Sequence, residues 1–200
     1  MARYFVSPFG ALVHPWLTKA DTKFNSDGLF HSELHAEGEA AEALKQRITE
    51  AAQAAFDEET AKMKPAEAKK WSLYVPFEDL EDEDTGEPTG TTKFDFKQNA
   101  KIKDRETGEL KPVSIEIRDS KDKPVTGVVI YSGSIGRIMY SIRKIVMTSS
   151  KQIGVRLDFS KVQIKELKTG GGGFGAIDDG YVSEGASGPN EPEEDDGGEY

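Results

Sequence analysis

Apolar residues recur at helical spacing in one long segment of the chain. Between residues 36 and 62 they fall three or four positions apart, with glutamates and lysines between them. This spacing places the apolar side chains on one face of a helix. The pattern therefore predicts an amphipathic helix over about 36–62. Its buried face carries Ala41, Leu44, Ile48, Ala51, Ala52, Ala55 and Phe56.

Apolar and polar positions alternate through most of the remaining first 168 residues, which predicts β-strands. Residues 3–18 are extended but kinked by prolines, and residues 28–35 alternate as a short strand. Residues 71–80 form a short aromatic segment that runs into an acidic turn. A change of phase at Ser160–Lys161 predicts a β-bulge. The longer alternating segments are 92–102, 112–119, 133–147 and 152–167.

Short strands joined by meander turns favour a small antiparallel barrel over a parallel sheet. The expected fold class is mainly β: a five-stranded antiparallel barrel with one inserted amphipathic helix, occupying residues 1–168. Residues 169–176 (TGGGGFGA) have the composition of a flexible hinge. Residues 177–200 are expected to be a disordered acidic C-terminal tail.

Charge is distributed unevenly along the chain. The formal net charge is −10, which by itself argues against a nucleic-acid partner. However, residues 169–200 hold nine acids and no base, and residues 78–87 hold another seven acids. Residues 93–168 hold seventeen Lys and Arg against nine Asp and Glu, an excess of eight positive charges. A basic body with acidic appendages is typical of nucleic-acid binding or of an interaction tail.

Composition also limits the kinds of site that the chain can form. There is no cysteine, which excludes disulfides, zinc–thiolate sites and cysteine nucleophiles. No stretch approaches a membrane span or a signal peptide, which favours a soluble intracellular protein. His31, Glu33 and His35 share one strand face, but an exposed histidine pair is ordinary. No metal and no cofactor is expected.

The basic segment interleaves cations with aromatic rings, as single-strand-binding proteins do. In such proteins cations follow the phosphates and bases stack on rings, without sequence-specific readout. The candidate cations are Lys93, Lys97, Lys101, Arg118, Arg137, Arg143, Lys144, Lys151 and Arg156. The candidate rings are Trp16, Trp71, Tyr74, Phe77, Tyr131 and Tyr140. Strand alternation also fits a core position for Tyr140, and Trp71, Tyr74 and Phe77 fit simple packing equally well.

The order of segments carries a resemblance to a known family. VSPFGALVHPWL is followed by a helix, YVPFEDLEDEDTGEPTGTTKFDFKQNA, IEIRDSKDKPV, and GSIGRIMYSIRKIVM with IGVRLDFSKVQIKEL. A glycine-rich segment, GYV and an acidic run ending in Tyr200 complete the order. This arrangement resembles the single-stranded DNA-binding proteins of T7-type bacteriophages over nearly all 200 residues. The most specific parts are Pro76-Phe77 leading into 94–97, the last strand pair and the tail.

The resemblance implies an OB-fold that coats single-stranded DNA in phage replication and recombination, in the cytoplasm of the infected bacterial host. It implies that the tail contacts the phage DNA polymerase and helicase-primase and occupies the DNA cleft when DNA is absent. The turn at 145–152 lacks the aromatics that the family carries there, so stacking is expected at other rings. Homodimerisation is left open. The tail residues expected to bind partners are Glu193, Glu194, Asp195, Asp196, Glu199 and Tyr200.

Two other functions are compatible with parts of the sequence. A protein-interaction or DNA-mimic protein would act through the acidic segments, but the basic balance of 93–168 speaks against it. A metal-dependent nuclease would use Glu33 and the acids of 78–87, but a catalytic pattern is missing. A non-enzymatic single-strand binder is the preferred hypothesis.

Overall fold

Five long strands form the frame of the protein, in a computed structural model that describes residues 3–23, 25–104 and 106–168. The expected hinge at 169–176 and acidic tail at 177–200 lie outside the described residues. The elements in chain order are β1 (Tyr4–Val6), β2 (Gly10–Asp21), β3 (Leu29–Glu37), α1 (Gly38–Thr60), α2 (Pro65–Ala68), β4 (Ser72–Tyr74), β5 (Phe77–Glu81), β6 (Pro88–Asn99), β7 (Lys101–Lys103), β8 (Leu110–Pro112), β9 (Glu116–Arg118), β10 (Ile135–Met147) and β11 (Gln152–Glu166).

The long strands pair in a circuit that returns to its starting strand. β2 pairs with β3, β3 with β6, β6 with β11, β11 with β10, and β10 with β2. The mainly β, OB-type fold is thereby confirmed. The expectation of an entirely antiparallel barrel needs one correction, because β6 and β11 run parallel. Five strands cannot alternate in direction all around a circuit, so one pairing has to be parallel.

The short strands extend this frame at its edges. β1 adds to β10, β5 adds to β6, and both β4 and β9 add to β11. β7 and β8 form a separate two-stranded hairpin that follows directly from β6. No helix in the described part of the chain is long and apolar enough to cross a membrane.

The core lies inside the circuit and under α1. Phe94, Phe96, Ile138 and Leu157 are fully buried, as strand alternation predicts. Helix α1 begins and ends within two residues of its predicted limits. Five residues of its predicted apolar face are buried: Ala41, Leu44, Ile48, Ala52 and Ala55. The other two, Ala51 and Phe56, are half-buried.

Two predicted irregularities are confirmed. Strand β2 shifts register between Val13 and Trp16, where His14 adopts a positive φ of 48°, so the N-terminal strand is kinked beside Pro15. In the β10–β11 pair, Met139 faces Lys161 and Tyr140 faces Phe159. Ser160 is therefore the extra residue of a bulge. The bulge keeps the apolar residues on both sides of it facing the core.

Asp104 holds the β7–β8 hairpin through hydrogen bonds with residues 106–111. The Asp104 carboxylate accepts a hydrogen bond from Lys111 Nζ (2.6 Å) and two more from backbone N–H groups of the turn. These bonds, that of Lys111 first, lower the pKa of Asp104 to about 2. The turn fixes the hairpin that carries Lys101 and Lys103.

Replacement of Gly154 by Ala is expected to destabilise the fold. A Cβ atom at this position would lie 1.9 Å from the backbone carbonyl oxygen of Tyr74, so β4 would have to move away from β11. We expect a loss of about 1–3 kcal/mol in the free energy of unfolding, measured by urea denaturation. Ser72→Ala, at an exposed position of β4, is the control. An unchanged midpoint in Gly154→Ala would contradict this packing.

Candidate nucleic-acid interface

The outer face of the β10–β11 hairpin is basic because of strand alternation. On β10, Ile138 and Tyr140 point into the core, so Arg137 and Arg143 belong to the opposite face. On β11, Leu157 is buried and Arg156 lies on the outer side. The residues that build the core thus determine which cations reach the surface.

A cavity of about 750 Å³ opens on this face, between the start of β1, the end of β6, β7 and the hairpin. Five cations and a single carboxylate line it, and we call it the basic cleft. Charges of one sign in a concave site raise the local potential and attract a polyanion. The charged residues are Arg3, Lys101, Lys103, Arg143, Arg156 and Asp158.

Asp158 positions the two arginines of the cleft. One carboxylate oxygen accepts a hydrogen bond from Arg143 Nε (2.5 Å), and the other accepts one from Arg156 Nε (2.5 Å). Arg156 Nη1 also donates to Asn99 Oδ1 (3.0 Å). One carboxylate cannot neutralise two guanidinium groups, and each group keeps further N–H donors. The pair is therefore oriented and still cationic.

The remaining cations of the cleft are less constrained. Lys101 Nζ lies 3.0 Å from the Asp27 carboxylate. The Arg3 guanidinium lies over the Phe5 ring, 5.0 Å from its centroid. Lys103 forms no ion pair with any residue that the structure describes. Long cationic side chains of this kind suit the irregular phosphate path of a single strand.

Two more predicted cations lie further along the same face. Arg118 on β9 pairs with Glu116 and donates to the backbone carbonyl of Asp122 (2.7 Å). Arg137 Nε donates to Gln163 Oε1 (2.8 Å). Both arginines line a second cavity of about 320 Å³. The structure therefore places Lys101, Arg143 and Arg156 in the basic cleft and Arg118 and Arg137 in the second cavity.

The other four predicted cations lie elsewhere. Lys93 pairs with Glu78 (2.7 Å), and Lys151 pairs with Glu67 (3.1 Å). Lys97 shares a cavity with the carboxylates of Asp21, Glu33 and Asp95. Lys144 binds Glu58 (3.0 Å) and Glu59 (2.6 Å) near the end of α1. Strand alternation predicted an outward position for Lys93 and Lys97, and Lys151 was expected in a turn, but no local pattern carried information about the acids that meet these lysines.

The predicted rings also differ in position, because some are buried or half-buried and others are exposed. The expectation that Tyr140 stacks on bases is wrong, because this ring is fully buried against Phe96 and Phe5. Phe77 is half-buried on Phe94, with 6.0 Å between ring centroids. Trp71 and Tyr74 are also half-buried, and burial raises the pKa of Tyr74.

Trp16 and Tyr131 are the exposed members of the predicted set, at 42% and 46%. Trp16 stacks on His31 with 6.1 Å between ring centroids, and His31 in turn contacts Asp21 (3.4 Å). Its surroundings are therefore acidic, unlike the basic face.

Sequence reasoning missed two exposed rings on the basic face. Tyr4 is 57% exposed and lines the basic cleft, and Phe9 is 44% exposed beside Arg137. Alternation about the half-buried Phe5 could have predicted that Tyr4 points outward. Nothing local showed that β1 pairs with β10, more than a hundred residues away along the chain.

The histidine face does not provide a metal centre among the described residues. The Glu33 carboxylate lies 3.0 Å from His35 Nε2 and 3.8 Å from His14 Nδ1. His31 Nε2 instead lies 3.4 Å from the Asp21 carboxylate. In the part of the chain that the structure describes, no three His, Asp or Glu side chains are grouped to hold a metal ion.

The pKa of Glu59 tests the position of Lys144. Hydrogen bonds from Lys144, and then from Lys62, lower the pKa of Glu59 to about 2. Lys144→Met is expected to raise it toward the ordinary value of 4.5. A lowered carboxyl pKa stabilises the fold above pH 4.5 and loses that effect as the pH falls toward 2. The variant should therefore show a weaker pH dependence of stability in this window.

The measurement is an NMR titration of the Glu59 carboxyl carbon. Lys70→Met is the matched control, because Lys70 pairs with Glu67 and leaves Glu59 untouched. An unchanged Glu59 titration in Lys144→Met would show that Lys144 is not engaged with α1.

The chain is similar to known single-stranded DNA-binding proteins. A family model described as "Single-stranded DNA-binding protein, Bacteriophage T7" matches residues 5–167. The single-stranded DNA-binding protein of Escherichia phage T7 is 32% identical over 153 residues, which are 73% of this chain and 65% of that protein. The chain therefore spans slightly less than two thirds of that relative's length.

Solved structures share the fold. The crystal structure of gp2.5, a single-stranded DNA-binding protein encoded by bacteriophage T7, superposes with a TM-score of 0.72 at 24% identity. That match covers 92% of this chain and all of the other. A single-stranded DNA-binding protein from bacteriophage Enc34, in complex with ssDNA, matches with a TM-score of 0.56 at 12% identity, over 84% of this chain and 89% of the other.

Proposed function

Because the chain belongs to the family of T7-type bacteriophage single-stranded DNA-binding proteins, we propose that it coats single-stranded DNA without strong sequence preference. The observation that carries the proposal is the basic cleft, in which five cations surround one carboxylate. Phosphates would follow these cations, and release of condensed counterions would supply much of the binding free energy. The family is one of binding proteins rather than enzymes.

The arrangement of charge favours a single strand over a duplex. Readout of the major groove needs a helix or a β-ribbon that can enter the groove and approach its phosphates. The exposed face of α1, the only long helix in the described residues, carries Glu39, Glu42, Glu50 and Asp57 and would be repelled. Cations are instead gathered in a cleft between strands, which suits an unpaired backbone.

We propose that the acidic segment 177–200 competes with DNA for the basic cleft. It carries no Lys or Arg, so it can imitate a polyanion. The resemblance to the family leads us to propose that the same segment contacts the phage DNA polymerase and helicase-primase in the host cytoplasm. Tyr200 would be an apolar anchor in this contact. Self-association to a dimer is a further proposal, and sedimentation velocity of the full chain tests it.

Lys103→Gln is expected to weaken DNA binding without disturbing the fold, because Lys103 lines the cleft and forms no ion pair among the described residues. If it contacts one phosphate, the slope of log K against log salt becomes shallower by about 0.7. Fluorescence anisotropy with labelled oligo-dT at several salt concentrations measures both changes. Lys151→Gln, whose lysine pairs with Glu67, is the control. Equal slopes for the two variants would place DNA outside the cleft.

Truncation after residue 176 is expected to raise the affinity for oligo-dT, most strongly at low salt, because a competing polyanion is removed. The same anisotropy titration compares the full and truncated chains. A full-length chain with all nine acids of 177–200 replaced by their amides is the matched control for charge. Equal or weaker binding by the truncated chain would refute the competition.

The alternative functions have less support in the structure. For a protein that acts through its acids, the acidic segment 78–87 should be free. Two of its seven acids are engaged: Glu78 pairs with Lys93 (2.7 Å), and Asp79 accepts hydrogen bonds from Lys45 (2.8 Å) and Thr92 (2.6 Å). The other five acids are exposed, so this part of the segment does not count against that function. Glu33, the other carboxylate of a conceivable nuclease site, is engaged by His35.

A further inference from the structure

Phe9 holds two cations over an exposed ring at the far end of the basic face. The Arg137 guanidinium carbon lies 4.9 Å from the ring centroid, and Lys165 Nζ lies 5.9 Å from it. The ring is 44% exposed although it is large and apolar. This side chain therefore offers an aromatic surface together with two positive charges.

The cation nearest to this ring is held in place. Arg137 Nε donates to Gln163 Oε1 (2.8 Å), and Gln163 Nε2 donates to the backbone carbonyl of Asp119 (3.0 Å). Lys165 is freer, with its Nζ 3.6 Å from the carboxylate of Glu166. The cavity of about 320 Å³ next to Arg137 is lined by Val6 and Met139 as well as by charged groups, including Asp122.

A strip of surface along β1 and β10, from Phe9 to Tyr4, connects this ring to the basic cleft. Tyr4 pairs with Ser141 and Val6 pairs with Met139, so the start of the chain runs antiparallel along β10. Tyr4 and Val6 are 57% and 46% exposed, and Phe9 follows them. From Arg143 to Arg137, β10 advances six residues, or about 20 Å. Exposed apolar side chains therefore lie beside cations over the whole strip.

We propose that Phe9, Arg137 and Lys165 form a second nucleotide subsite, in which a base stacks on Phe9 and the adjoining phosphate contacts the two cations. A stacked base stabilises a complex more than a cation does at an exposed ring, so a base can displace a cation from the ring. The displaced cation is Lys165, which is the freer of the two, while Arg137 stays bonded to Gln163 and keeps further N–H donors for the phosphate. This subsite rests on the proposed function, and it extends the DNA path from the basic cleft along β10.

Phe9→Leu tests the stacking contact. Affinity for an oligo-dT longer than the ~16 nucleotides that one OB-fold covers should fall by about 5- to 150-fold, the range expected for one lost stack. The salt slope should stay unchanged, because no charge is removed. Trp16→Leu is the matched control, since that ring is similarly exposed but stacks on His31, which contacts Asp21. Equal affinities for Phe9→Leu and wild type would overturn the proposal.

Arg137→Gln separates the phosphate contact from the stack. This variant should reduce the salt slope by about 0.7, the value for one phosphate contact on a single strand. An unchanged slope would show that Arg137 does not meet a phosphate and would overturn that half of the subsite.

A crosslinking experiment on the unmodified full chain avoids any doubt about folding of the variants. Oligo-dT carrying 5-iododeoxyuridine should give, on irradiation, a crosslinked peptide that contains Phe9, identified by mass spectrometry. Crosslinks confined to other peptides would overturn the subsite while leaving single-strand binding intact. Failure of the wild-type chain to bind oligo-dT would instead refute the proposed function itself.

Discussion

The pairing of β10 with β11 is the constraint on which the rest of the structure depends. The two strands pair from Ile135 to Met147, and β1, β2, β4, β6 and β9 all attach to one or the other. Side chains alternate across a strand, so a one-residue slip would turn the core residues outward. The extra residue at Ser160 shifts the alternation of β11 by one position, so the apolar residues beyond the bulge again face the core. The register of this strand pair consequently determines both which residues enter the core and which cations reach the basic face.

This dependence explains how a chain with a net charge of −10 presents a basic surface. The acids of the described residues are largely engaged at other places: α1 binds Lys144, and β5 binds Lys45 and Lys93. Asp158 is the only carboxylate among the residues that line the basic cleft, and it orients two arginines. Exposed ion pairs such as that of Lys93 with Glu78 contribute little stability individually. Their arrangement matters more because it decides where the positive potential remains.

The strip from Tyr4 to Phe9 combines the two interactions that single strands offer to a protein. Phosphates supply charge at every nucleotide, and every base has a face that can stack. Neither interaction depends on sequence, which fits the indifference to sequence that we propose. The turn at 148–151 between β10 and β11 carries no ring, and the exposed rings beside β10 are instead Tyr4 of β1 and Phe9, which follows β1.

Local periodicity determined most of the secondary structure: the helix at 38–60, the alternation of β6, β10 and β11, and the bulge at Ser160 are all readable from the sequence. It also assigned Arg137, Arg143 and Arg156 to outward positions, because the face of a side chain follows from its place in a strand. Only the tertiary structure decided that Lys93 and Lys144 meet carboxylates and that Tyr4 and Phe9 join the arginines. Those outcomes depend on pairing between segments far apart in the chain, and no local pattern specifies such partners.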